Sequence, residues 1–185
     1  VESSASVEFD PQRVQAVLPS DALPEGGLNI RWPDTPLAQE ARLLDHKWYA
    51  ALAYVRANGL NRVVLDSPDA RFGIMTAGKA YLDVRQALND LGLDETACKA
   101  AGIRLLKVGC IWPLDAQDAR SFATGLKEIL VVEEKRQILE YALKEELYNW
   151  RDDVRPRVVG KFAEKGEWAL PHGDWLLPAA GELTP

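Results

Sequence analysis

Cysteine, histidine and methionine are scarce here: the 185 residues include two Cys, two His and one Met. Cys98 and Cys110 fall in separate expected elements, with no CxxC and no His at metal-ligand spacing, so neither a zinc site nor a disulfide framework is read. They read as buried free thiols of a reducing compartment, which places the chain in the cytoplasm. Long apolar runs are missing too, since none approaches the roughly 20 residues that a membrane helix needs. A basic excess is also missing: the net charge is −6, and Lys and Arg are scattered, which argues against nucleic acid as a partner. The start at Val1 has neither a charged n-region nor an apolar h-region, so no signal peptide is expected.

What is present is an α/β pattern. Glu128 to Arg136, EILVVEEKR, contains a branched apolar run, Ile129 to Val132, that stops at Glu133 and Glu134. Such a run without polar alternation suits a strand covered on both faces. From Lys135 the period changes to helical, through Ile138, Leu139, Ala142, Leu143, Leu147 and Trp150. Further strands are expected at Asn61 to Asp66, Arg71 to Ala77, Ile103 to Gly109 and, at an edge because of Pro156, Arg155 to Phe162. The first two lie too close for a helical crossover and are expected to be antiparallel if they share a sheet.

Helices are expected from Gly78 to Leu91, from Asp94 to Ala101, and from the Asp115 cap to Leu126. A short satellite helix is expected from Pro11 to Leu18. The longest runs from the Thr35 cap to Asn58, with Leu37, Ala41, Leu44, Trp48, Leu52 and Val55 as its apolar stripe. The fold class is three-layer α/β/α with a mostly parallel sheet of about five strands, one antiparallel. Domain organisation reads as residues 1–34, a leader and connection from a preceding domain; 35–162, the α/β domain; and 163–185, a connecting tail. Trp32, Trp168 and Trp175 are expected to dock these connecting segments.

In such sheets ligands and partners gather at the carboxyl ends of the strands, here Thr76 to Gly78, Gly109 to Trp112 and Glu133 to Lys135. GIMTAGKA (Gly73 to Ala80) has the spacing of a phosphate-binding GxxxxGK loop. It lacks the hydroxyl at position 80, and Ile74 and Met75 look like strand interior. Glu133 and Glu134 could act as an acid/base pair, but neighbouring strand residues face opposite ways, and a structural or interdomain contact is the better reading. His46 lies at the border of the helical stripe and His172 in the tail, in no arrangement that names a metal or a triad. There is no GDG with a distant Asn for thiamine diphosphate and magnesium, no Cys-rich signature for iron and sulfur, and no GxGxxG.

Three blocks, GIMTAGKAYLDVRQAL (Gly73 to Leu88), RLLKVGCIWPLD (Arg104 to Asp115) and EILVVEEKRQILEYALKEEL (Glu128 to Leu147), resemble in order and spacing one domain family. It is the transketolase carboxyl-terminal-like domain of thiamine-dependent 2-oxoacid:ferredoxin oxidoreductases. The likeness is greatest to indolepyruvate ferredoxin oxidoreductase in its long single-chain bacterial form, and Gly26 to Asn58 sets that form apart from two-subunit relatives. The resemblance implies a parent enzyme that decarboxylates an aryl 2-oxoacid on thiamine diphosphate with Mg, reduces ferredoxin through iron-sulfur clusters, and captures the acyl group with CoA.

Those cofactor motifs belong to other domains of that family, so no cofactor, metal or catalytic residue is assigned to this piece. Thr76, Gly78, Lys79, Gly109, Trp112, Pro113, Glu133 and Glu134 carry over as contacts toward neighbouring domains of the same enzyme. The resemblance also implies a homo-oligomer, with dimerisation through this domain as a third reading. The competing reading is a free-standing flavodoxin-like module holding a nucleotide or phosphate at Gly73 to Lys79.

Overall fold

The computed structural model describes residues 6, 10–20, 23–163 and 175–185. It divides into two compact units, Val1–Leu60 and Asn61–Pro185.

In the first unit, the Thr35 hydroxyl accepts the Ala38 N–H and starts α1 (Pro36–Arg42). The helical run continues through a π-helical segment (Leu43–Lys47) into α2 (Trp48–Ala57), so the long helix expected from the sequence carries an inserted wide turn. The Asn58 side chain closes its end by clamping Val17, accepting its N–H and donating to its carbonyl. The satellite helix expected at Pro11 to Leu18 does not form. Asp10 caps one turn by accepting the Gln12 N–H, but nothing propagates it. Val14 and Leu18 are 80% and 78% exposed, so no burial offsets the cost of helix nucleation. Much of the expected stripe is likewise uncovered, Leu37, Leu44 and Tyr49 being exposed; Trp32, expected to dock, is 97% exposed.

The second unit is built on a five-stranded sheet in the order β1-β3-β2-β4-β5. The strands are β1 (Arg62–Leu65), β2 (Phe72–Ala77), β3 (Ile103–Val108), β4 (Glu128–Val132) and β5 (Arg157–Val159). Strands β2 to β5 are parallel; β1 pairs antiparallel with β3, its register slipping between Val63 and Leu65. The two early strands therefore run in opposite directions, with β3 between them. The mostly parallel sheet with one antiparallel strand is as the sequence pattern requires.

Right-handed crossovers place helices on both faces. Helices α3 (Lys79–Asp90) and α4 (Glu95–Ala101) cover one, packing Ala80, Val84, Leu88 and Cys98 on Ile74, Ile103 and Leu105. Helices α5 (Ala116–Ala123) and α6 (Leu139–Leu147) cover the other, packing Ala119, Phe122, Leu139 and Leu143 on Met75, Leu106, Ile129 and Val131. Each fully buried aliphatic side chain contributes about 1.5–3 kcal/mol. Burial around Cys98 raises its thiol pKa, with Asp94 adding to the shift, and so keeps the thiol protonated.

Gly73 sits mid-strand where α5 presses on the sheet. A Cβ there would lie 2.5 Å from Leu126 Cδ1 and 2.9 Å from Phe122 Cζ. Gly73→Ala is expected to lower stability by about 1–3 kcal/mol through overpacking, read as a drop in urea midpoint; an unchanged midpoint would show that the α5 face has slack.

Candidate functional site

Strands β3 and β4 flank β2 on opposite sides, and the chain leaves β2 over one face and reaches β4 over the other. The carboxyl ends of β2 and β4 are thus the topological switch point, where open α/β sheets hold ligands. The sequence candidates Thr76, Gly78, Lys79, Glu133 and Glu134 meet here. Gly109, Trp112 and Pro113 lie on a separate loop after β3.

The acidic pair, just past the end of β4, splits between the two faces. Glu133, 8% exposed, turns to the α6 side, where its carboxylate accepts the N–H groups of Ile138 (2.9 Å), Leu139 (3.0 Å) and Glu140 (3.0 Å). It caps α6 from outside the helix, meeting three of the four amides that a helix start leaves free. The intervening turn passes through Lys135 at φ 61°, a left-handed conformation uncommon outside glycine. The helix therefore begins at Leu139, not at Lys135 where the apolar period starts.

Glu140, 0% exposed, is the next carboxylate inward. It accepts the Lys161 backbone N–H at 2.7 Å and pairs with Lys144 at 2.6 Å. Gly160 permits this approach, because a Cβ there would come within 2.4 Å of Glu140 Oε2. The Lys161 side chain is 1% exposed, and its ammonium donates to the Pro178 carbonyl at 2.8 Å. Burial lowers its pKa; Glu133, Glu140 and Glu134 oppose that shift.

On the α3 side, Thr76 is 0% exposed and its hydroxyl has no hydrogen-bond partner among the described residues. Gly78 opens α3 at φ 57°, ψ −136°, a conformation that glycine alone takes freely. Lys79 bonds both Asp83 carboxylate oxygens (2.9 and 3.0 Å), the Leu183 carbonyl (3.0 Å) and the Glu182 carboxylate (3.0 Å). Glu134 stands 3.8 Å from the same ammonium. The Asp83 and Glu182 hydrogen bonds raise the Lys79 pKa and hold it charged.

Gly73 to Lys79 does not form a phosphate cradle. Residues 72–77 are strand, paired with β3 on one side and β4 on the other, so the ladders engage the backbone that a nest would need free.

Across the edge, Asn61 shapes the loop after β3. Its side chain accepts the N–H groups of Gly109 (3.0 Å) and Cys110 (3.3 Å) and donates to Asp118 (2.9 Å). Pro113 follows a cis bond, and Trp112 stands 66% exposed beside Ile111 at 42%. The loop is anchored from below and presents an aromatic surface above.

His46 is exposed on the π-helical segment, and His172 and Trp168 lie outside the described residues. No group of three or more His, Cys, Asp and Glu side chains is placed to hold a metal among the described residues. Asn61, Gln137, Glu140 and Lys161 are the polar residues the sequence reading missed. Glu140 had a signal, a charge at a core position of the Leu139, Leu143, Leu147 face, and so did Lys161, a charge inside the apolar VVGKF run.

Glu133→Ala is expected to cost about 2–3 kcal/mol by stranding buried helix-start amides, with Glu133→Gln losing less. A denaturant midpoint within error of the parent would show that the cap is dispensable. Lys161 supplies a pH test. In the folded chain its charge is disfavoured, so folding is penalised while both states are protonated. The penalty lifts as pH climbs through the lowered folded value toward the ordinary 10.5. Lys161→Met should flatten that alkaline gain in midpoint; parallel pH profiles for the two chains would contradict it.

A profile of the indolepyruvate ferredoxin oxidoreductase middle domain matches residues 61–185, the whole sheet-bearing unit, and leaves α1 and α2 outside. The indolepyruvate oxidoreductase subunit IorA of Methanothermobacter thermautotrophicus is 32% identical over 109 residues, covering 57% of this chain and 16% of that protein. Its namesake in Pyrococcus abyssi is 28% identical over 158 residues, covering 83% of this chain and 20% of that one. Among solved structures, a 2-oxoglutarate:ferredoxin oxidoreductase from Magnetococcus marinus aligns with TM-score 0.45 and 18% identity, over 75% of this chain and 22% of that one. This chain spans a fifth or less of those two IorA subunits. Since the profile takes in every strand of the sheet, the chain belongs to the indolepyruvate ferredoxin oxidoreductase middle-domain family.

Proposed function

We propose that the chain is a non-catalytic interaction domain of a thiamine-diphosphate-dependent indolepyruvate ferredoxin oxidoreductase. Its parent oxidatively decarboxylates aryl 2-oxoacids to acyl-CoA and reduces ferredoxin. One observation carries the reading: Glu133, Glu140 and Lys79, three of the charged groups at the switch point, are engaged within the domain itself. Glu133 caps α6, Glu140 holds the chain at Lys161, and Lys79 is shared between Asp83 and Glu182. A general acid or base needs a carboxylate or amine aimed at a substrate, and here the two carboxylates are aimed at backbone amides and the amine at two carboxylates and a carbonyl.

The parent's iron-sulfur clusters require sets of cysteine thiolates, and this chain's two cysteines lie in α4 and in the loop after β3. Thiamine diphosphate, Mg and CoA are assigned to the rest of the polypeptide on the same reading. What the edge offers outward is surface. Gly78, Gly109 and Trp112 are exposed, Lys79, Pro113 and Glu134 half-buried, and these six are the contacts toward neighbouring domains. Thr76 and Glu133 act from inside. Trp112 is the anchor, an exposed aromatic of the kind that dominates interface energies.

An assay of indolepyruvate-dependent dye reduction tests this. The chain alone is expected to show no turnover, and turnover by it would overturn the reading. Trp112→Ala is expected to leave the unfolding free energy of the isolated domain within about 0.5 kcal/mol of the parent's, as for an exposed site. It should weaken the domain's hold on the remainder by about 2 kcal/mol, the scale of an interface hot spot, measured by titrating separately expressed halves. Unaltered affinity would remove Trp112 from the interface.

A further inference from the structure

The sheet is covered unevenly. On the α3 side, α3 and α4 lie mainly over β2 and β3 and α3 reaches β4 only in part, where Leu130 and Val132 also meet Leu177 and Leu183 of the C-terminal segment. Residues 175–185 contain neither helix nor strand, yet they are held at closely spaced points. Lys161 donates to the Pro178 carbonyl, Lys135 to the Gly181 carbonyl, and Lys79 to the Leu183 carbonyl and the Glu182 carboxylate. In return the Leu176 N–H donates to the Lys161 carbonyl at 2.8 Å. Trp175 lies with its ring centroid 4.5 Å from that of Phe162 and under the Arg136 guanidinium.

This is how a groove binds a peptide. Two apolar anchors, Leu177 and Leu183, enter a cleft walled by Val84, Leu88 and Leu91, which keeps about 360 Å³ of space beside them. Three lysines from three different elements read carbonyls and one carboxylate along the rim, while most of the intervening residues face solvent. The buried ammonium of Lys161 finds its acceptor in the segment, so the rim and its occupant complete each other.

We propose that the cleft between α3 and β4 is a binding groove for an extended acidic peptide bearing two leucines, and that LPAAGEL, residues 177–183, is its ligand docked in cis. The segment releases as a unit while the sheet stays folded. This goes beyond the oxidoreductase reading and does not rest on it.

The test uses a chain ending at residue 174 and a labelled synthetic peptide of residues 175–185. Saturable binding is expected, weakened about threefold by Glu182→Ala in the peptide, the scale of a half-exposed ion pair. Leu183→Ala should weaken it about thirtyfold, the scale of a lost buried leucine. Absence of binding to a chain whose circular dichroism matches the parent, or binding indifferent to both changes, overturns the proposal.

Should the shortened chain not fold, native-state hydrogen exchange on the intact one decides. The Leu176 amide is expected to exchange at least about 100-fold ahead of those of Met75 and Leu130, as a separately opening unit does. A common rate would make the segment an integral layer and overturn the proposal. A dimer formed by exchange of the segment between two copies would overturn the cis assignment.

Discussion

The Glu133 carboxylate, received by the first amides of α6, is the constraint from which the sheet's carboxyl edge follows. A strand ending at Val132 would otherwise leave its next residues free to wander. With Glu133 held beneath the helix start, the turn through Lys135 must bend sharply, and α6 is set over β4 at a fixed height. That placement brings Glu140 under β5, where it takes the Lys161 amide, and Gly160 leaves the space for it. Strand, turn, helix and the next strand are thus tied by two carboxylates, both nearly out of water, each answered by backbone donors and not left as bare charges.

Open α/β sheets concentrate function at the switch point because helix starts and strand ends converge there with unpaired amides. Here the chain answers the α6 start with its own side chain, and the ammonium beside the α3 start with its own C-terminal segment. Exposed surface remains on the Trp112 loop, which Asn61 holds through the Gly109 amide. A family profile spanning the sheet-bearing unit and relatives several times longer than this chain agree with a part whose neighbours complete it.

The parts of the fold legible in the sequence were those written in local periodicity. The branched run at Ile129 to Val132, the Asp94 and Asp115 caps and the short spacing between the first two strands each gave the right element, because each rests on residues within a turn or two of one another. The parts that stayed hidden are tied across distance. The Glu133 cap acts on amides up to seven residues downstream through a left-handed turn, where capping patterns look three residues ahead. Asn61 and Gly109 are 48 residues apart, and Glu140 and Lys161 are 21 apart. The turn at Pro11 failed in the opposite way: its local signal was sound, but a helix also needs a surface to lie on. The segment after residue 174 reads as a linker from its Pro and Gly content, and two leucines make it something else.

Both margins of the sheet are brief. β5 has three residues, and β1 has four with a slip in its pairing. Strands so short, one of them bent by its irregular register, give an incoming chain little ladder to copy. Blunted margins of this kind discourage edge-to-edge pairing with foreign strands, so contacts made by this sheet fall to side chains and not to a shared ladder.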